Sequence, residues 1–286
     1  AVGDFNHDGR PDIFLSAYAD MEFNVNAYQL INRGTYFEKT AIDNVVGWQH
    51  GAASADINHD GYADVVAVGY GSAPRIYLGG PNGLRSQNLA IPIGGSGVAL
   101  ADFLNNGTIT AFVVDQGLNK TSALMRFVLD GASQVTETPQ LTVPPAPLLG
   151  PSGHNVRAKA IDFNTDGLMD VLVMTRETWN GREWPINSRI QFLKNTGDGK
   201  FVDVTADVLV GYQTQSNVSY NPVFVDLNGD QRVDIFISEP QYGNSNSTSM
   251  LIQNAEGKFV DSARAELSAH VSSDGGIANI GKMWDF

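Results

Sequence analysis

The sequence predicts an all-β fold, a β-propeller of four-stranded blades. Three observations predict it. A nine-residue acidic pattern recurs along the chain. The copies are spaced by roughly 46 to 64 residues, the range in which stacked or circular arrays of supersecondary units repeat. Each copy is flanked by the same succession of short β-rich runs and Gly/Asn turns.

The pattern reads D-x-N-x-D-G-x-x-D. Its first copy is Asp4, Asn6, Asp8, Gly9, Arg10 and Asp12, and its second is Asp56, Asn58, Asp60, Gly61, Tyr62 and Asp64. A third is Asp162, Asn164, Asp166, Gly167, Leu168 and Asp170. A fourth is Asp226, Asn228, Asp230, Gln231, Arg232 and Asp234, with Gln231 where the others have glycine. Between the second and third lies a degenerate copy from Asp102, in which Leu104 and Thr110 replace the oxygen donors at positions 3 and 9.

Repeats therefore start near residues 4, 56, 102, 162 and 226, and Asp285-Phe286 matches Asp4-Phe5 as the opening of a next one. Five repeats are visible, and about six to eight blades are expected in all. Residues 1–286 are read as one propeller domain or a segment of a longer one.

Each element of a blade follows in order. A small or apolar run precedes the loop, as in Ala52–Ala55 and Val98–Ala101. A β-rich run follows it: Ile13–Leu15, Val65–Val68, Val171–Met174 and Ile235–Ile237. A third run is Tyr28–Ile31, Arg75–Leu78, Ile190–Leu193 and Met250–Gln253. Glycine-bearing turns then lead to an aromatic, Phe37, Phe201 or Phe259, that opens the last strand.

Side-chain oxygens at positions 1, 3, 5 and 9, a position-7 carbonyl and a glycine at the sharp turn are a hard-donor set that suits Ca²⁺. Four Ca²⁺ sites are expected, with the donors at positions 1, 3, 5, 7 and 9 named above, and none at Asp102. The ion is expected to be structural, cancelling aspartate repulsion in the loop that joins two strands. His7 and His59, at position 4, are expected to face solvent.

With these loops, and with the Gly71–Pro74, Leu78–Leu84 and Asn195–Phe201 segments, the chain resembles the FG-GAP/VCBS repeat family, the calcium-bearing blades of propellers like those of integrin α-subunits. The resemblance covers essentially the whole chain. It implies a propeller and calcium; it says little about activity, because the fold hosts adhesins, lectins, lyases and toxin subunits.

Composition bounds the function. The net charge is −13 with 18 Lys and Arg, too little clustered positive charge for a nucleic-acid binder. The four loops hold twelve aspartates, so the acidity is mostly metal-site chemistry; four divalent ions would leave −5. There is no cysteine, hence neither disulfide nor thiol catalysis. No stretch is apolar and long enough to span a membrane as a helix. Loops of this kind fill outside cells, which points to an extracellular or cell-surface protein, with a bacterial source the expectation.

Candidate ligand-binding residues lie away from the acidic loops. His50 and His154 sit in connections entering blades. The segment Glu177–Arg189, read as a loop, carries Trp179, Arg182 and Trp184, residue types that dominate binding hot spots. The corresponding loop of the first blade carries Tyr18, Met21, Phe23 and Tyr28, and Trp48 adds a further aromatic. The Pro-rich stretch 139–151 reads as a surface connector. No nucleophile elbow, zinc-protease motif or phosphate loop is present. The expectation is a non-enzymatic module that recognises a protein or glycan on the face opposite the calcium loops. A lectin-type sugar binder and, lower, a propeller polysaccharide lyase are the alternatives.

Overall fold

A computed structural model describes residues 1–16, 24–46, 48–70, 75–87, 95–114, 122–130, 135–137, 140–142, 153–179, 182–197, 199–211, 222–237 and 249–262. The chain divides into two compact units, Ala1–Val204 and Thr205–Phe286.

The first unit holds four four-stranded antiparallel sheets, one per repeat. The first is β1 (Val2–Gly3), β2 (Asp12–Leu15), β3 (Asn24–Asn32) and β4 (Phe37–Val46), paired in that order. The second is β5 (Trp48–Ala55), β6 (Asp64–Tyr70), β7 (Arg75–Leu78) and β8 (Arg85–Gln87). The third is β9 (Gly97–Ala101), β10 (Thr110–Val114) and β11 (Ser122–Arg126), but a small hairpin of β12 (Val128–Leu129) and β13 (Val135–Glu137) intervenes before its fourth strand, β14 (Gln140–Thr142). The fourth is β15 (Gly153–Ile161), β16 (Asp170–Trp179), β17 (Arg182–Asn195) and β18 (Phe201–Asp203).

The second unit opens with a single turn of helix, α1 (Thr205–Val208), and β19 (Leu209–Val210). β20 (Val223–Val225), β21 (Asp234–Ile237), β22 (Ser249–Gln253) and β23 (Phe259–Asp261) form the fifth repeat's sheet, and β19 adds to it in parallel beside β23.

In every repeat the acidic loop joins the first strand to the second, so the all-β, four-strand reading holds. Within the first unit, apolar residues of consecutive sheets interlock. Leu84 shares a buried cluster with Phe5 and Phe14 of the sheet before it. The Phe201 ring stands edge-on to Phe103 and Phe112 of the sheet before it, at 5.8 and 5.3 Å. Phe37 opens β4 as expected, yet it is 46% exposed where Phe201 is 4% exposed. First strands approach so closely that a Cβ on Gly97 would meet Arg157 Cα at 2.6 Å. Only glycine fits that contact.

Two sequence expectations change. The segment 177–189 is not a loop: β16 and β17 run on as a long hairpin, with Trp179 opposite Arg182 and Glu177 opposite Asn187. Its Trp, Arg and Thr content suits strands as well as loops. In the third repeat the extra length is partly the β12–β13 hairpin, which has no counterpart in the other repeats' pattern. Of the Pro-rich stretch only 140–142 is described, as β14; the rest, like residues 285–286, lies outside the described residues.

Candidate metal centres

Each acidic loop is built by its own carboxylates. In the first, Asp4 accepts the N–H groups of Asp8 at 3.0 Å and Gly9 at 2.8 Å, and Asp8 accepts that of Arg10 at 3.0 Å. Asn6 Oδ1 accepts the Asp8 N–H, and Asn6 Nδ2 donates to Asp8 Oδ2 at 3.0 Å. The loops at Asp56 and Asp226 repeat these bonds, and the loop at Asp162 repeats the backbone ones. Such bonds turn the loop so tightly that position 6 takes a positive φ: 80° at Gly9, 88° at Gly61 and 84° at Gly167.

The position-9 aspartate does different work. Asp12, Asp64, Asp170 and Asp234 are fully buried. Each carboxylate accepts one N–H from loop position 2 and one from the end of the third strand. For Asp64 these come from Ile57 at 2.9 Å and Gly79 at 2.8 Å; for Asp170, from Phe163 at 3.3 Å and Asn195 at 2.7 Å. Asp12 joins Phe5 to Asn32, and Asp234 joins Leu227 to Gln253. One side chain thus pins the loop to two strands.

Burial pushes the carboxyls of Asp64 and Asp170 up to about 6. The two backbone N–H bonds of each oppose that rise, and the position-1 and position-5 carboxylates add to it. Asp12 is raised for the same leading reason. Asp226 is held low, chiefly by the Gln231 N–H.

Positive charge enters three of the loops. The Arg10 guanidinium pairs with Asp8 at 2.6 Å while its Nε donates to Asn32 O at 2.8 Å. Arg232 does the same with Asp230 and Gln253 O. In the third good loop position 7 is Leu168, and Lys194 supplies the cation to Asp166 at 3.2 Å. Burial pushes Asp166 up, but the Leu168 N–H and Lys194 outweigh it and hold the carboxyl below its usual range.

The degenerate loop keeps its turn, since Asp102 accepts from Asn106 and Gly107, but Thr110 Oγ1 donates to Ala101 O instead of stapling strands. His7 and His59 are exposed, as expected, and His7 also reaches the next loop. Its Nδ1 donates to Gly61 O at 2.6 Å and its ring meets Tyr62 edge-on.

The donor set fits a hard divalent cation. It is all oxygen, carries three carboxylates per loop, and buries the position-9 carboxylate of each. Among the described residues no three His, Asp or Glu side chains are already drawn together as a metal cage. Their oxygens are spent on backbone N–H groups, although each carboxylate oxygen retains a second lone pair.

Of the other candidate residues, His50 lies half-buried at a bulge in β5, between Gln49 and Gly51. His154 lies on β15, Trp179 on β16, and Arg182 and Trp184 on β17, all in the fourth sheet. The side chains of these four, and of Trp48, are outside the described part of the structure, as are Tyr18, Met21 and Phe23 entirely. Tyr28 is on β3, with Lys39 Nζ 3.9 Å from its ring centre.

Inner strands β1, β5, β9 and β15 line a cleft of about 290 Å³, walled mainly by Ala52, Ala53, Ala99, Ala158 and Ala160. Among the described residues, Lys159 is the only charged side chain in that wall. Burial, then Arg157, lowers its pKa.

Sequence reasoning named Arg10 and Arg232 only for their carbonyls and missed Lys194. The available signal was an arginine at position 7 in two of the four loops.

These sheets and loops define an all-β repeat protein whose first turn is acidic and stapled. The chain carries FG-GAP-like repeats: the FG-GAP-like repeat pattern matches residues 4–67 and 162–237. It is 40% identical over 98 residues to Integrin alpha-PS3 of Drosophila melanogaster, spanning 29% of this chain and 9% of that protein. It is 25% identical over 218 residues to Cartilage acidic protein 1 of Xenopus tropicalis, spanning 70% of this chain and 33% of that one. The chain thus spans a third or less of these relatives.

Among solved structures it is similar to a GH43 beta-xylosidase/alpha-arabinofuranosidase from a compost microbial metagenome, with TM-score 0.43 and 12% identity over 91% of this chain and 92% of that one. It is also similar to the V. cholerae biofilm matrix protein Bap1, with TM-score 0.41 and 17% identity over 90% and 37%. No helix among the described residues is long and apolar enough to cross a membrane.

Proposed function

We propose that the chain is a calcium-stabilised β-propeller module of an extracellular or cell-surface protein, which binds a protein or glycan partner. The observation that carries the metal half is the repetition of one donor set in four loops, each tied into its sheet by a buried position-9 aspartate. Asp4, Asn6, Asp8 and Asp12, with the Arg10 carbonyl, would hold the ion in the first loop. Their counterparts in the loops at Asp56, Asp162 and Asp226 would hold the other three. The ion supplies positive charge among three carboxylates that otherwise repel. The chain's own residues close the turn and fix the second strand to the third.

The binding half rests on the family and on relatives named as an integrin and a cartilage protein.

Calorimetric titration of the metal-stripped chain with calcium tests the metal half. Four bound ions, and a melting temperature that falls on chelation and returns with calcium, are expected. Superimposable melting curves in chelator and in calcium would sink it.

A further inference from the structure

The loops differ in how their charge is balanced. Loops 1, 3 and 4, starting at Asp4, Asp162 and Asp226, each carry three aspartates and one internal cation, Arg10, Lys194 and Arg232 respectively. The degenerate loop at Asp102 carries one aspartate and, among the described residues, no paired cation, so little needs balancing. The loop at Asp56 breaks the pattern. It has Asp56, Asp60 and Asp64, yet among the described residues no Lys or Arg pairs with any of them. Position 7 there is Tyr62, whose ring lies against His7, and His7 spends its Nδ1 on Gly61 O, not on a carboxylate.

The cation comes from two places in the chain. Arg10 and Arg232 occupy position 7 and brace themselves on the carbonyl that ends the third strand, Asn32 O or Gln253 O. Lys194 reaches across from the third strand, where position 7 is Leu168. Different residues thus deliver an ammonium or guanidinium to the same position-5 carboxylate, Asp8, Asp166 or Asp230. The convergence is on charge at one atom group, not on a shared side chain.

We propose that Arg10, Lys194 and Arg232 are built-in counter-ions that hold their loops in shape without metal and weaken calcium binding there, and that the loop at Asp56, lacking one, is the tightest calcium site. The inference rests on the calcium reading above. Its physical basis is that calcium affinity in oxygen-donor loops is set by ligand charge and rigidity. A cation already on the position-5 carboxylate lowers the loop's net charge and competes for its oxygen. The pairs are part-exposed, with side chains of Arg10 and Asp8 at 43% and 23% accessibility, so the effect is that of a screened surface pair.

The test exchanges position 7 in the full chain. Tyr62→Arg should weaken the tightest calorimetric site by about two- to fivefold and raise the melting temperature in chelator. Arg10→Tyr should tighten its loop by a similar factor and lower the melting temperature in chelator but not in saturating calcium. Lys194→Met, which spares the position-7 backbone contact, should behave like Arg10→Tyr. A variant that merely damages folding cannot raise the chelator melting temperature, so Tyr62→Arg separates the inference from misfolding. Four sites bound but unmoved by all three changes overturn the counter-ion role and leave the calcium reading standing. No calcium bound by the unaltered chain overturns both.

Discussion

Gly229 and Gln231 have exchanged the places that a non-glycine residue and a glycine hold in the other acidic loops. Every loop needs two residues with positive φ, at positions 4 and 6. In the loop at Asp226 they are Gly229 at 78° and Gln231 at 68°; elsewhere position 4 is His7, His59, Asn105 or Thr165 at 51–59° and position 6 is glycine. Each loop therefore carries one strained residue. From the sequence, Gln231 alone marks its loop as the weakest. The structure keeps Gln231 at positive φ, as that reading requires, and adds Thr165 as a second candidate, because a β-branched side chain tolerates the left-handed region least.

Replacing Thr165 with Asn should stabilise the chain by about 1 kcal/mol, since left-handed backbone costs an ordinary residue roughly 1–2 kcal/mol and Asn less. Gln231→Gly should gain less, because Gln is unbranched and glycine loses more entropy on folding. Urea denaturation of both variants, with and without calcium, measures this. A loss of stability in Thr165→Asn would contradict the ranking.

Asp170 should matter even without metal. Asp170→Asn keeps one acceptor but turns an amide N–H toward one of the two backbone donors, from Phe163 and Asn195. A buried N–H left without an acceptor costs on the order of 1–3 kcal/mol. The expected result is a loss of that size in chelator, with a further loss in calcium. If the variant is as stable as the parent in chelator, the stapling role is wrong.

The periodic acidic loops, the four runs of each repeat and the aromatic at the last strand were legible because each follows from a local rule at fixed spacing. What stayed hidden is what spacing cannot carry. The Lys194–Asp166 pair spans separate elements, and nothing local marks Lys194 as its loop's cation. The double bond of Asp170 to Phe163 and Asn195 depends on where the third strand ends. The long β16–β17 hairpin looked like a loop because its Asn, Gly and Pro favour turns while its Trp and Thr suit strands, and pairing across the sheet decided between them. Exposed Phe37 reads like buried Phe201 in sequence; they differ only in what lies beside them.

Tyr77 should give the chain an alkaline limit. Its ring is fully buried against Phe14, and Gln49 Nε2 donates to its hydroxyl at 3.0 Å. Burial pushes the phenol up to about 12, against the opposing Gln49 bond. The folded state therefore holds this proton more tightly than the unfolded one, whose tyrosine titrates near its ordinary value of 10.0. Stability from this group is fully present below about pH 10 and is lost as pH rises to about 12, by on the order of 2–3 kcal/mol. Denaturation midpoints measured from pH 9 to 12 should fall in the parent and fall less in Tyr77→Phe. Parallel profiles would show that Tyr77 is not the group responsible.

The last prediction concerns recognition. Antiparallel strands put the acidic loop and the third-to-fourth turn at one end of a sheet, and the second-to-third connection at the other. Arg10 bonding to Asn32 O shows the first arrangement in sheet one. Trp179 and Arg182 are register partners at the other end of sheet four, with Trp184 two residues on. Aromatic and guanidinium groups at the sheet end away from the metal loops are suited to a binding role, whereas the near-uniform acidic loops serve the fold. Trp179→Ala and Trp184→Ala, assayed on a glycan array and on immobilised extracellular-matrix proteins, should lose binding that the parent shows while keeping its melting temperature. If the two rings are instead packed into the sheet, each truncation should cost about 3–5 kcal/mol of stability. Weaker binding would then follow from unfolding, and the recognition role would pass to other residues at that end of the sheets.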